Sequence, residues 1–167
     1  MRQMTYSARH ATREDLEALV EIERAAGRAF ADVGMPEIAE DDPGSPEELA
    51  PFVARGHAWV TTDEDGRPIA YLIADVVDDR LHIEQASVHP AHARQGLGAA
   101  LIEHVARAGR ALSLTTFRDV PWNAPYYARL GFRVLEPADQ GPELAALVRH
   151  EAEAIPGDAP RVAMVRP

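Results

Sequence analysis

The sequence predicts an α/β protein: a single mixed, mostly antiparallel central sheet of about six to seven strands flanked by helices. Three observations lead there. The run "HAWVTTDEDGRPIAYLIADVVDDRLHIEQASVHP" reads as three strands in a meander, turned at Asp65-Gly66 and at Asp78-Asp79. Segments with helical spacing of apolar residues precede and follow it, and strand-like segments return toward the end of the sequence. The length of 167 residues suits one domain with a continuous core, expected to span 1–167.

In chain order, residues 4 to 10 are expected as a first strand. "ATREDLEALVEIERAAGRAF" follows as a helix, with Thr12 at the N-cap, acids in the first turn, and Leu16, Leu19, Val20, Ile22 and Ala26 spaced for one buried face. "ADVGMPEIAEDDPGSP" is a loop rich in Gly, Pro and acid. In "SPEELAPFVARG", Ser45 at the N-cap, Pro46 at N1, Glu48 at N3 and Gly56 at the end define a compact second helix. After the meander, residues 96 to 108 carry Leu97, Leu101, Val105 and Ala108 on one helical face, stopped by Gly109. "RALSLTTF" is a fifth strand, "NAPYYARLGF" a short helix ended by Gly131, and "FRVLE" a sixth strand. Residues 142 to 154 are expected as a helix, and "RVAMVRP" as a closing strand.

Composition narrows the chemistry. The chain has no cysteine, and all 17 of its Lys plus Arg residues are arginines. Disulfides, cysteine nucleophiles, thiolate metal sites, Schiff-base lysines and a P-loop lysine are therefore excluded. None of the serines (Ser7, Ser45, Ser87, Ser113) lies in Gly-x-Ser-x-Gly, which removes a nucleophile elbow. The net charge of −10 speaks against nucleic-acid binding and suits a cationic or amine-bearing partner, unless it serves only solubility. No apolar run approaches the ~20 residues of a bilayer span. Arg2, Tyr6 and Arg9 interrupt any signal-like stretch, so no membrane partner and a cytoplasmic location are expected. The seven histidines show no metal-ligand spacing, so no metal is expected.

Chemistry concentrates in "HIEQASVHPAHARQGLGAALIEHV", residues 82 to 105. Gly96 and Gly98 follow a strand and open a helix, where backbone N–H groups lack intrahelical partners and the helix dipole is positive. Such a turn suits an anion, with Arg94 adding charge beside it, or it simply permits tight strand–helix packing. A dinucleotide fingerprint would need a third small position after Gly98, and Gly96-Leu97-Gly98-Ala99-Ala100-Leu101 lacks it. Along the preceding strand His82, Glu84, Ala86 and Val88 share one face.

"SVHPAHARQGLGAALI" resembles the acyl-CoA pyrophosphate loop of the GNAT N-acetyltransferase superfamily, Gln/Arg-x-x-Gly-x-Gly/Ala between the fourth strand and the next helix. "PYYARLGF" is similar to that family's aromatic-Tyr-x-x-x-Gly-Phe motif, and the order of elements is that of its fold over essentially the whole chain. The resemblance implies an acetyl-CoA-dependent N-acetyltransferase, with acetyl-CoA as co-substrate and an amine, expected to be small, as acceptor. It implies that the backbone N–H groups of Arg94, Gln95, Gly96, Gly98 and Ala99 hold pyrophosphate, and that the strand edge at Ala86 and Val88 pairs with pantetheine. One position departs from the pattern: the usual Gln or Arg is Ala93 here, with Arg94 and Gln95 following it.

By the same resemblance Glu84 and His82 match positions where relatives carry a proton-accepting Glu or His. Most amines are protonated at neutral pH and must lose a proton before attacking a thioester, which gives such a group its use. The alternative is a pair that only hydrogen-bonds across the sheet. Tyr127, five residues before Phe132, matches the tyrosine near the thioester sulfur, where its hydroxyl would protonate or hydrogen-bond the departing thiolate; Tyr126 points about 100° away on the same helix, so one of the two belongs in the core, and the alternative is that both do. Asn123 caps that helix or contacts pantetheine, and Val120 stands where many relatives have an Asn. The loop with Phe30, Asp32, Met35, Glu37, Glu40, Asp41 and Asp42 falls where relatives shape the acceptor site. A non-catalytic acyl-CoA-binding module and a plain interaction domain are the competing readings, and the sequence leaves a homodimer open.

Overall fold

The Asp65-Gly66 and Asp78-Asp79 dipeptides turn the chain where the sequence predicts. Gly66 (φ 79°), Asp78 (φ 49°) and Asp79 (φ 63°) adopt left-handed backbone, the conformation a tight hairpin turn demands and Asp tolerates better than most residues. The computed structural model describes residues 6–28, 44–107, 109–118, 124–154 and 161–167. Its strands are β1 (Ser7–His10), β2 (Ala58–Thr62), β3 (Pro68–Val77), β4 (Arg80–Val88), β5 (Leu112–Phe117), β6 (Arg133–Val134) and β7 (Arg161–Arg166). They form one seven-stranded sheet in the order β1-β2-β3-β4-β5-β7-β6. β4 and β5 run parallel, whereas β1–β2, β2–β3, β5–β7 and β6–β7 pair antiparallel, so the sheet is mixed and mostly antiparallel as expected.

The helices are α1 (Leu16–Gly27), α2 (Pro46–Ala54), α3 (Leu97–Ala106), α4 (Ala124–Arg129) and α5 (Pro142–Ala154). The first expected helix opens as a separate 3-10 turn, Arg13–Asp15. Asp15 is the reason: its carboxylate accepts from the Thr12 N–H at 2.8 Å and from Arg9 Nη1 and Nη2 at 2.7 and 3.1 Å, which fixes the entry to α1. Ser45 caps α2, its Oγ accepting from the Glu48 N–H at 3.2 Å with Pro46 at the first turn. β6 is shorter than the expected "FRVLE", two residues only.

Two compact units make up the chain, Met1–Ala74 with Gln85–Ala108, and Asp75–Glu84 with Gly109–Pro167. In the first, Leu16, Leu19 and Ile22 of α1 and Leu49 of α2 pack with Ala58, Val60, Tyr71 and Ile73. Each such Leu or Ile contributes about 1.5–3 kcal/mol by leaving water. Tyr71 is fully buried in this cluster, and its hydroxyl donates to Oε2 of Glu23 on α1 at 3.1 Å. Leu97, Leu101, Ile102 and Val105 form the buried face of α3, which packs against β2.

In the second unit Leu144, Leu147 and Val148 of α5 pack with Leu135, Val77, and Ala163 and Val165 of β7. Spacings of three and four residues put those α5 side chains on one helical face, and Glu151 continues it one turn on. That places α5 over the side of the sheet to which Ala163 and Val165 point.

Candidate functional site

The parallel register of β4 and β5 pairs Leu81 with Leu112, His82 with Ser113 and Ile83 with Leu114. His82 and Ser113 point to the same side of the sheet, and His82 Nδ1 lies 2.8 Å from Ser113 Oγ. Alternation of strand side chains then brings Glu84 and Thr115, two residues on, to that side too. His82 is 1% exposed; burial lowers its pKa, against the opposing pull of Glu151 and Asp75, so the imidazole is neutral at pH 7. Glu84 is the first β4 residue beyond the last registered pair and reaches solvent. The protein packed around it nevertheless withdraws enough water to push its carboxyl up to about 7, and the negative charges of Glu151 and Asp75 add to the shift.

Three residues that sequence reasoning did not single out form a cluster on this side of the sheet. Thr115 Oγ1 donates to Glu151 Oε2 at 2.6 Å and accepts from Arg161 Nη2 at 3.0 Å. Arg161 also pairs with Glu151 at 3.3 Å, while its guanidinium lies over the Phe117 ring at 4.7 Å. The one signal available beforehand was Glu151 itself, an acid on the apolar face of a helix.

Tyr127 sits on α4. The helix ends as its sequence predicts: Gly131 takes φ 94°, and the N–H groups of Leu130 and Phe132 both return to the Tyr127 carbonyl, at 2.9 and 3.1 Å. Neither tyrosine of the pair is wholly buried; Tyr127 stacks edge-on against Phe132, with ring centroids 5.8 Å apart, and against Tyr126 at 5.3 Å. Burial, with a smaller contribution from Tyr126, raises the Tyr127 hydroxyl to about 12, so it remains a proton donor throughout the neutral range.

The glycine turn belongs to the first unit. After β4 a single 3-10 turn, Pro90–His92, is closed by His89, whose Nδ1 accepts from the Ala91 N–H at 3.1 Å. Arg94 then adopts φ 66° and Gly96 φ 72°. A left-handed arginine is uncommon and carries strain of about 1–2 kcal/mol, tolerated where a loop is held in a fixed shape. The Tyr6 hydroxyl reaches the Gln95 side-chain oxygen and ties the first strand's approach to this loop. Gly96 caps α3, the first helical bond being Ala100 N–H to Gly96 carbonyl at 3.0 Å, so the N–H groups of Leu97, Gly98 and Ala99 have no acceptor within the helix. A Cβ placed on Gly96 would meet no atom within 4 Å. The space beside Gly96 is open. Ala86 and Val88, half-buried, lie on the part of β4 that follows its last registered pair with β5.

Asn123, Val120 and the acidic loop from Phe30 to Asp42 lie outside the described residues. Among the described residues no group of three or more His, Asp or Glu side chains is placed to hold a metal ion, and no helix is long and apolar enough to cross a membrane.

The profile of the acetyltransferase (GNAT) family matches residues 16–132. In fold the chain is similar to an N-acetyltransferase, PaiA, of Thermoplasma acidophilum in complex with coenzyme A, at 17% identity and a TM-score of 0.69 over 98% of this chain and 99% of that one. It is similar to the ribosomal-protein-S18-alanine N-acetyltransferase of Escherichia coli, at 22% identity and a TM-score of 0.65 over 98% of this chain and 94% of that one. A third likeness is to N-acetylglutamate synthase of Neisseria gonorrhoeae complexed with coenzyme A and N-acetyl-glutamate, at 16% identity and a TM-score of 0.72 over 99% of this chain and 35% of that one.

Proposed function

The chain belongs to the GNAT family of acetyltransferases, and we propose that it transfers the acetyl group of acetyl-CoA to the nitrogen of a small amine by direct attack, with Glu84 as the base and Tyr127 as the acid. The observation that carries this reading is the Glu84 carboxyl, pushed up to about 7 at the point where β4 and β5 stop pairing. A base is most useful when its pKa lies near the working pH, where a substantial fraction is ionised and the ionised form still holds a proton firmly. An ordinary carboxylate, near 4.5, would be the weaker base toward an ammonium group.

The acceptor arrives as an ammonium ion and gives one proton to the Glu84 carboxylate, directly or through one water. The freed lone pair attacks the thioester carbonyl carbon, forming a C–N bond and a tetrahedral oxyanion. Collapse of that intermediate breaks the C–S bond, and the departing thiolate takes the Tyr127 proton. The second proton shed by the nitrogen restores Tyr127, and the proton on Glu84 leaves to solvent. The products are an amide and free CoA. With no cysteine and no lysine in the chain, no acyl-enzyme through either side chain enters this scheme.

Acetyl-CoA fits the glycine turn by charge and by space. The free N–H groups at the start of α3 suit its pyrophosphate, Arg94, Gln95, Gly96, Gly98 and Ala99 supplying the loop, and Ala86 and Val88 offer strand edge to pantetheine. His82, buried, neutral and bonded to Ser113, lies two residues before Glu84 on the same side of β4. Turnover of acetyl-CoA against a panel of primary amines, wild type beside Glu84→Gln, tests the reading. We expect the variant to lose about 10²-fold or more in kcat/KM. CoA binding without turnover of any amine by the wild type would turn the reading toward a non-catalytic CoA-binding module.

A further inference from the structure

We propose that Glu151 is a positioning residue for proton transfer at Glu84: clamped by Thr115 and Arg161 on the side of the sheet that carries Glu84, it sets how firmly Glu84 holds the acceptor's proton. The inference rests on the reading of Glu84 as the base.

Geometry carries it. Beyond His82 and Ser113, Glu84 and Thr115 are the next residues of β4 and β5 on that side of the sheet. Arg161 stands opposite Phe117 on β7, and the alternation Arg161, Ala163, Val165 keeps it on the same side as Thr115. α5 covers this side through Leu144, Leu147 and Val148, and its next inward position is Glu151. A free glutamate on a helix end samples several rotamers. Here one oxygen, Oε2, is held by the Thr115 hydroxyl at 2.6 Å and faces Arg161 at 3.3 Å, so its charge sits at a fixed place.

The charged groups facing Glu84 are Glu151 from α5 and Asp75 from β3, both acidic. The same two act on His82, where Arg161 opposes them. Asp75 lies on a strand and bonds back to the Val76 N–H at 3.0 Å. Glu151 is held by partners from two other elements, Thr115 of β5 and Arg161 of β7.

The test has two readouts on the full chain. Carboxyl carbon NMR of Glu84, titrated without substrate, should show its midpoint falling by about 0.5–1 unit in Glu151→Gln. The acid limb of kcat/KM with acetyl-CoA and a primary amine should move to lower pH by a similar amount. Thr115→Val, which keeps the charge of Glu151 but frees its position, should shift both in the same direction by less. A role limited to docking α5 would lower thermal stability and leave both midpoints in place, and unmoved midpoints in folded Glu151→Gln or Thr115→Val overturn the inference. If Glu84→Gln retains the wild-type acid limb, the reading of Glu84 as base fails instead, and the NMR titration still reports on Glu151.

Discussion

The backbone N–H of Asp78 donates to Oε2 of Glu143 at 2.5 Å, and the backbone N–H of Glu143 returns a bond to Oδ1 of Asp78 at 3.1 Å. Asp78 Oδ2 also accepts from the Leu144 N–H at 2.9 Å. A hairpin turn thus caps a helix 65 residues later in the chain, satisfying N–H groups that the first turn of α5 cannot satisfy itself. The cap fixes the start of the helix that carries Glu151.

Removing that cap should cost measurable stability. Asp78→Ala is expected to destabilise by about 1–2 kcal/mol in urea unfolding. Gly141→Ala should cost at least as much, because a Cβ there would lie 2.4 Å from Asp78 Oδ2. The two effects share one carboxylate, so the double variant should lose less than the sum. Full additivity would mean that the Asp78 side chain does not hold α5.

Glu84 makes stability depend on pH in a stated direction. Its folded value of about 7 lies above the ordinary 4.5, so the folded state binds its proton more tightly. The stability it contributes is complete below about 4.5 and is lost as pH rises through about 7. Glutamine cannot titrate. The Tm of Glu84→Gln relative to wild type should therefore climb across that window and level off above it, while the opposite trend from neutral His82 is common to both proteins and cancels. A flat difference would remove the perturbed carboxyl from the mechanism.

Tyr127→Phe separates ring from hydroxyl. The edge-on contact with Phe132 survives the substitution, so the Tm should stay within about 1 °C of wild type. Loss of the proton donor should lower kcat by about 10²-fold or more while CoA binding is kept. Unchanged turnover would assign Tyr127 to packing.

What the sequence made legible was what neighbouring residues decide. Ser45-Pro46 started α2, Gly131 ended α4, the Asp-Gly and Asp-Asp turns set the meander, and the expected helix over 142 to 154 is α5. Boundaries slipped where a side chain from outside the helix intervened. Arg9 reaches across to Asp15, and the predicted single helix opens as a 3-10 turn. Asp78 was legible as a turn residue, whereas its capping of α5 depends on a contact 65 residues away. The Thr115, Glu151 and Arg161 cluster was out of reach for the same reason: its members are separated by 36 and 46 residues, and β7 enters the sheet between β5 and β6, against chain order. The family resemblance named Glu84 as a candidate base, whereas the negative charge of Glu151 comes to bear on it only through packing between elements.

The glycine turn can be tested against an internal control. Gly96 and Gly56 have nearly the same backbone, φ 72° and 74°, and a Cβ at either would meet no protein atom within 4 Å. Alanine at each position should therefore cost a similar amount of stability, about 1 kcal/mol for left-handed backbone. They differ in what the open space serves. Gly56 follows the end of α2, whereas Gly96 is the cap residue immediately before the N–H groups that open α3, where an anion would approach. Calorimetric titration with CoA should show a Kd at least about tenfold weaker for Gly96→Ala, equivalent to about 1.4 kcal/mol, and unchanged for Gly56→Ala. Equal losses at both positions would trace the effect to general loosening, and undiminished affinity in Gly96→Ala would place the pyrophosphate elsewhere.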